Sequence, residues 1–325
     1  MKDNKIVITL VAPIYGVEKY ITQFADSVLS QSYPYIEYIF VNDGTQDRSM
    51  ELLEALITEK YEYRRNDIKV VHKKNAGLPA ARRTGLSHAT GDYVFNVDSD
   101  DWLEPDAVYK IASKIIETNA DIVYFNWIKE YPQKTKYKTE RIYSVEQRDS
   151  YIFDMYNHRA SAAVWNKCVR RSLYMDNTIF TPVYGYAEDC YLNTQLVGYA
   201  QSIAYLNEYL YHYRKGNPNA MTAQNIRNRK REYALNFMDL YTNYYDIPHN
   251  KNNPITPIFD SIVVQAGWYS LLYGLDLFKR FPFLASAICK ARIRRNTNVS
   301  VIAQFLTKCY TFLLQKSLDT ISSVQ

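Results

Sequence analysis

The sequence predicts an α/β protein: a mostly parallel central sheet flanked by helices, followed by a helical extension at the C-terminus. Three observations carry this. Between residues 6 and 125, short β-branched runs alternate with stretches whose apolar residues recur at helical spacing. Turn and cap residues punctuate the changes. A strand-like run, Gly91-Asp-Tyr-Val-Phe-Asn-Val, then leads straight into three carboxylates, Asp98, Asp100 and Asp101. Open parallel sheets hold their ligands beyond the carboxyl ends of their strands, which is where those carboxylates fall.

Residues 6–12 form a β-branched run and read as the first strand, and residues 17–29 carry apolar positions at helical spacing. Residues 36–41 are the second strand, closed by the turn Asn42-Asp43-Gly44-Thr45. Asp47 then caps a helix through Met50, Leu52, Leu53 and Leu56. A third strand at 68–71, a helix at 79–86 and a fourth strand at 93–97 follow. Glu104-Pro105-Asp106 opens the next helix with proline in its first turn, and residues 122–125 are a further strand. Residues 131–143 are polar and basic, suited to a surface loop or hairpin, and residues 145–158 have helical character. A helix begins near Glu188, because acidic residues favour the positive end of a helix. Gly216-Asn-Pro-Asn219 is a loop signal, so the expected domains are 1–215 and a basic helical region over 216–325.

Composition bounds the function. The chain has 325 residues, 47% hydrophobic and 22% charged, enough for one large domain or two modest ones. Cys168, Cys190, Cys289 and Cys309 are widely spaced, with no CxxC pair and no neighbouring histidine ligands. That pattern argues against a disulfide framework or zinc site and fits a reducing compartment. The apolar run over residues 6–11 is too short for a signal peptide, and no stretch approaches bilayer-spanning length. A cytoplasmic protein is expected.

Charge is uneven. The last 75 residues hold nine Lys or Arg against three acids, an excess of six, so with a net +5 for the whole the first 250 carry −1. Aromatics beside Lys279 and Arg280, and the run Lys290-Ala-Arg-Ile-Arg-Arg295, suit an amphipathic surface on the anionic inner face of the plasma membrane. A helical subdomain with solvated basic residues explains the same pattern. No nucleic-acid motif is present.

Like charges packed as closely as Asp98, Asp100 and Asp101 repel, and each raises its neighbours' pKa unless a cation compensates. A hard divalent ion, Mg²⁺ or Mn²⁺, is the usual compensation and often shares one or two carboxylates with a substrate's phosphates. Residues i and i+2 of an extended segment point the same way, so Asp98 and Asp100 can converge on one ion. The alternatives are a solvated turn or a helix cap. An EF-hand is excluded, since its glycine and distal glutamate are missing. Ala12-Pro-Ile-Tyr-Gly-Val lacks the Gly-x-Gly-x-x-Gly of dinucleotide binders, and there is no Gly-rich phosphate loop.

Several ordered blocks make the chain resemble a family 2 glycosyltransferase of the GT-A fold, of the bacterial surface-polysaccharide type. They are Ile8-Thr-Leu-Val-Ala-Pro-Ile-Tyr15, Val17-Glu-Lys-Tyr20, Ser27-Val-Leu-Ser-Gln-Ser-Tyr33, Val41-Asn-Asp-Gly-Thr-Gln-Asp47 and Asn75-Ala-Gly-Leu-Pro-Ala-Ala-Arg82. Gly85-Leu86, Gly91-Asp-Tyr-Val, Asp98-Ser-Asp-Asp101, Trp165-Asn-Lys167, Glu188-Asp189 and Tyr211-His-Tyr-Arg214 continue the series.

The resemblance implies a nucleotide-sugar donor, UDP-linked, and a saccharide or lipid-linked saccharide acceptor. It implies that Asp43 hydrogen-bonds the base, with the backbone of Ala12 and Pro13 lining its pocket. Arg82 lies near the nucleotide or steadies the carboxylates. Asp100 is the main metal ligand, Asp98 a ribose or metal contact, and Asp101 a support. Asp189 is the catalytic base, with Glu188 the second candidate. Trp165, Asn166 and Lys167 border the sugar or acceptor, or Trp165 simply packs in the core. His212 and Arg214 reach the diphosphate. The chain departs from the family at Gly16 (often Asn), Asn42 (often Asp) and Arg83 (often Asn). Two rivals stand beside this reading: a nucleotidyltransferase, whose Gly-rich basic loop is missing after the first strand, and a non-catalytic nucleotide-sugar-binding subunit.

Overall fold

The computed structural model describes residues 5–156, 158–176, 179–217 and 225–245, with a few isolated positions between 264 and 311. The strands are β1 (Ile8–Ile14), β2 (Ile36–Asn42), β3 (Ile68–His72), β4 (Tyr93–Asn96), β5 (Trp102–Leu103), β6 (Ile122–Tyr131), β7 (Lys134–Lys138), β8 (Lys167–Arg170) and β9 (Ile203–Arg214). The helices are α1 (Ile21–Leu29), α2 (Ser49–Lys60), α3 (Leu78–His88), α4 (Ala107–Thr118), α5 (Arg148–Tyr156), α6 (Arg171–Met175), α7 (Glu188–Tyr199) and α8 (Ile226–Tyr245). They divide between two compact units. The first comprises residues 1–148, 160–181 and 192–220; the second comprises 149–159, 182–191 and 221–325.

The first unit is built on one sheet of order β3-β2-β1-β4-β8-β6-β9-β5, with β7 paired to β6. The pairs β1–β2, β1–β4, β2–β3 and β6–β9 are parallel, whereas β8 lies antiparallel between β4 and β6. The parallel strands fit the α/β expectation. The antiparallel β7 falls in the stretch expected as a surface loop or hairpin, whereas β5 and β8 were not anticipated, because they lie outside the strand–helix alternation. β1 is buried throughout, as a strand covered on both faces must be. Ile8, Leu10, Ala12 and Ile14 join the core formed with Phe24, Val28 and Ile111 of α1 and α4. On the other face α3 closes in at Gly85, where an added Cβ would overlap Val11 Cγ1 and stand 3.3 Å from Val41 Cγ2. β1, β2 and β4 therefore end together at one edge of a rigid platform.

The second unit is described mainly through α5, the start of α7 and α8. Tyr156 packs on Phe237 (ring centroids 4.9 Å apart), and Asn236 Nδ2 donates to the carbonyls of Tyr184 and Tyr186. Among the described residues no helix is long and apolar enough to cross a membrane. The basic segment over 279–295 lies outside the described residues, apart from the isolated Ile288.

Candidate active site

The loops beyond β1 and β2 are bound to each other. Asp47 accepts hydrogen bonds from the Thr45 and Ser49 hydroxyls and from the N–H groups of Ser49 and Glu18. Burial alone pushes its carboxyl up, but the bonds from Ser49, Thr45 and Glu18 outweigh that and hold it below the usual range. Thr45 Oγ1 in turn accepts from Gly16 N–H at 2.9 Å, and Ser49 Oγ from Val17 N–H. Asp47 therefore organises the turn, but the cap position of α2 is Arg48, so Asp47 meets the first helical residue from one position further out than predicted. Asn42 Oδ1 accepts from Thr45 N–H, a contact that a carboxylate at the same position also makes.

Asp43, 3% exposed, sits at the end of β2. Its carboxylate pairs with Lys73 and accepts the N–H groups of Ala76 (3.1 Å) and Gly77 (2.9 Å). It thereby ties the loop after β3 to the platform. Gly44, at φ +72°, allows the close approach, for an added Cβ would stand 2.9 Å from Asn75 N. Ala12 is buried at the end of β1, and the carbonyl of Pro13 accepts from the Ser99 hydroxyl at 2.6 Å.

β4 ends at Asn96, and residues 98–101 form a turn, closed by Asp101 N–H on the Asp98 carbonyl. Strand alternation therefore does not govern where Asp98 and Asp100 point; the turn does. Asp98 pairs with buried Arg82 at 2.6 Å, so the arginine steadies the carboxylates. Asp100 Oδ2 accepts from Asn217 Nδ2 at 2.7 Å.

Asp101 is 1% exposed; its Oδ1 accepts from Arg214 N–H and its Oδ2 from the Tyr211 hydroxyl. The same hydroxyl accepts from Asp98 N–H. Burial, then Asp100 and Asp98, push the Asp101 carboxyl well above its ordinary value, and burial, then Asp101 and Asp98, push the Tyr211 hydroxyl up likewise. Arg214 Nε donates to the Asp100 carbonyl, and its guanidinium lies 4.6 Å from the Trp102 ring centroid. His212 stacks on Trp102 and places its two nitrogens 2.8 and 2.9 Å from Glu104 and Glu130. Residues 211–217 thus strap the acidic turn to the end of β9. Sequence reasoning named His212 and Arg214 but missed Tyr211, Asn217 and Lys73. Tyr211 lies within a quoted block, yet nothing local to it signals a partner 110 residues away.

In donor chemistry the turn suits a hard ion: oxygen ligands only, from one or two carboxylates, as Mg²⁺ or Mn²⁺ takes when phosphates complete its shell. Among the described residues no group of three or more His, Cys, Asp or Glu is arranged to hold a metal without such help.

Trp165, 5% exposed, stacks on Tyr211 (4.4 Å) and Tyr213 (5.2 Å) and meets Trp127 edge-on. Asn166 Nδ2 donates to the Phe125 carbonyl. Lys167 Nζ, on a side chain nearly fully buried, donates to the carbonyls of Ser161 and Ala163 and to Asn166 Oδ1. Glu188 and Asp189 open α7, as predicted, and belong to the second unit. The structure thus brings Ala12, Pro13, Asp43, Arg82, Asp98, Asp100 and Asp101 to one sheet edge.

A family model described as glycosyl transferase family 2 matches residues 9–176. Glycosyltransferase GlyA of Streptococcus pneumoniae is 33% identical over 230 residues, covering 65% of this chain and 31% of GlyA. Putative glycosyltransferase EpsH of Bacillus subtilis is 31% identical over 213 residues, covering 64% of this chain and 60% of EpsH. The chain thus spans 31% and 60% of these relatives' lengths. Among solved structures, S. aureus TarS 1–349 in complex with UDP-GlcNAc aligns over 93% of this chain and 90% of its own, with TM-score 0.61 at 18% identity. At that identity the likeness is one of fold, the GT-A arrangement.

Proposed function

The chain belongs to glycosyltransferase family 2, and on that footing we propose that it transfers a sugar, with inversion, from a UDP-linked donor to a saccharide or lipid-linked saccharide hydroxyl in surface-polysaccharide assembly. The observation that carries the reading is the strapped acidic turn after β4, beside Asp43 at the end of β2. The TarS complex, which holds UDP-GlcNAc on a like fold, supports the choice of nucleotide.

In this reading Asp43 hydrogen-bonds the base and, through Lys73 and two backbone amides, fixes the wall of its pocket. The backbone of Ala12 and Pro13 forms the floor. Asp100, with Asp98, would hold Mn²⁺ or Mg²⁺, which when bound offsets the charge gathering on the departing diphosphate. Arg82 keeps Asp98 oriented. Trp165 and Lys167 support the sugar end. Asp189 takes the acceptor hydroxyl's proton as its oxygen attacks the anomeric carbon, with Glu188 the alternative base. The oxygen–carbon bond forms as the carbon–phosphate-oxygen bond breaks on the opposite face, so one displacement inverts the centre.

Thermal stabilisation by UDP tests the donor site, and it should shrink with EDTA and in Asp100→Ala. Stabilisation that ignores both sinks the metal assignment. Asp189→Asn should keep UDP binding while lowering kcat by about 10²- to 10⁴-fold, the usual weight of a general base. Unchanged turnover in that variant removes Asp189 from the mechanism.

A further inference from the structure

The polar, basic stretch over 131–143 folds as the end of β6, the antiparallel β7 and the turn between them. Side chains alternate along a strand, so Lys134, Lys136 and Lys138 share one face of β7. The register sets Lys136 directly opposite Lys129 and Lys134 opposite Tyr131. On the other flank, Lys129 pairs with Tyr213 of β9, and Lys215 follows one step further on that same face. The ammonium groups of Lys134, Lys129 and Lys136 stand 5.3, 5.5 and 6.0 Å from the Tyr131 ring centroid, and Lys215 Nζ stands 4.5 Å from that of Tyr213.

Among the described residues no carboxylate is within ion-pair distance of these five lysines. Glu130, on the opposite face of β6, is engaged by Thr135 and His212. Like charges set directly across two strands destabilise them, so the arrangement works against the fold. The positive field shows in two side chains. Lys129, with Lys136 and Lys215, holds the Tyr131 hydroxyl below the usual tyrosine range. Burial and then Lys129 hold Lys215 below the usual lysine range. A cluster that crowds positive charge around aromatic rings is complemented by an anion carrying apolar ring faces.

We propose that this ribbon is the acceptor-docking surface, and that the acceptor is a saccharide bearing phosphate or carboxylate groups. The inference rests on the glycosyl-transfer reading. The tyrosine rings offer stacking faces for sugars and the lysines pair with the anionic groups. The placement fits, because Lys215 adjoins Arg214, which bonds the acidic turn, and lies close enough to feel Asp101 and Asp100. A bilayer would be met by a broad apolar face, whereas β7 presents three lysines, a threonine and a single tyrosine, all exposed.

The test uses the full chain with labelled dextran sulfate, neutral dextran of equal length and phosphatidylglycerol vesicles as probes. Lys134→Gln with Lys136→Gln relieves like-charge repulsion, so it should fold at least as well as the parent. It should bind dextran sulfate about thirtyfold more weakly, as two lost ammonium contacts at an anionic surface predict. Lys110→Gln with Lys114→Gln, the same charge change on α4, should bind like the parent, and neutral dextran should bind none of them. Equal losses in both doubles, no loss in the hairpin double, or a loss confined to vesicles each overturn the proposal. UDP stabilisation is read in the same samples. Its absence counts against the nucleotide reading, while the dextran sulfate comparison separately reports the ribbon.

Discussion

A backbone with positive φ admits few side chains, and Gly16 occupies such a position at +68°. No heavy atom lies within 4 Å of where its Cβ would sit. Glycine and asparagine are the residues that adopt this conformation most readily, which explains why the chain has glycine where the family often has asparagine. Gly16→Asn should therefore leave the denaturant midpoint nearly unchanged, whereas Gly16→Val should cost about 1–2 kcal/mol for a branched residue in the left-handed region. Equal losses in the two would show that the backbone there is not held. Glu37 gives a pH prediction. Burial alone pushes its carboxyl up, but bonds from the Thr9 hydroxyl, the Thr90 N–H and hydroxyl and the Gly91 N–H outweigh that and leave it low. A carboxyl whose folded value lies below its unfolded 4.5 stabilises above that pH and loses its contribution as pH falls through the folded value. Glu37→Gln should cost about 1–2 kcal/mol at pH 7, the scale of hydrogen bonds to a charged group. The gap to the parent should narrow below about pH 4 in denaturant titrations.

Among elements, α3 can approach the sheet closely at Gly85 because that residue has no Cβ. Gly85→Ala gains helix propensity of about 1 kcal/mol but overlaps Val11, and overpacking costs about 1–3 kcal/mol, so a net loss is expected. Adding Val11→Ala should recover part of it, and strict additivity in that double-mutant cycle would place the strain elsewhere. The elements from β1 to β4, and α4, were legible because apolar strand runs and helical spacing alternate there, with turn and cap residues marking the changes. β5 and β8 were not, since they stand outside that alternation and are fixed by antiparallel partners far along the chain. The site divides in the same way. Asp43, Asp98 and Asp100 stand at strand ends that the pattern locates, and the Arg82–Asp98 pair was one of two roles offered for the arginine. Tyr211 and Asn217 act on the acidic turn from more than a hundred residues away, and only the strand order reveals them.

For the whole molecule, the division into units cuts across chain order. Residues 149–159 and 182–191 belong with 221–325. A chain ending at 217 would keep Tyr151, Ile152, Met155 and Tyr156 but lose Phe237, on which Tyr156 packs, and Asn236, which holds Tyr184 and Tyr186. Such a fragment should unfold at lower denaturant and bind a hydrophobic dye more strongly than the full chain. A fragment as stable as the parent, with no gain in dye binding, would mean that the second unit contributes nothing to those segments.

The strap on the acidic turn also orders events in time. Asp98, Asp100 and Asp101 are held by Tyr211, Arg214 and Asn217, the last of them 117 residues beyond the carboxylate it holds. A chain leaving the ribosome exposes the turn well before the strap that shapes it, and contacts of such separation form late. The platform of β1 to β4 can assemble early. The turn, and any affinity for a nucleotide that depends on it, must wait for β9 to be made and added to the sheet.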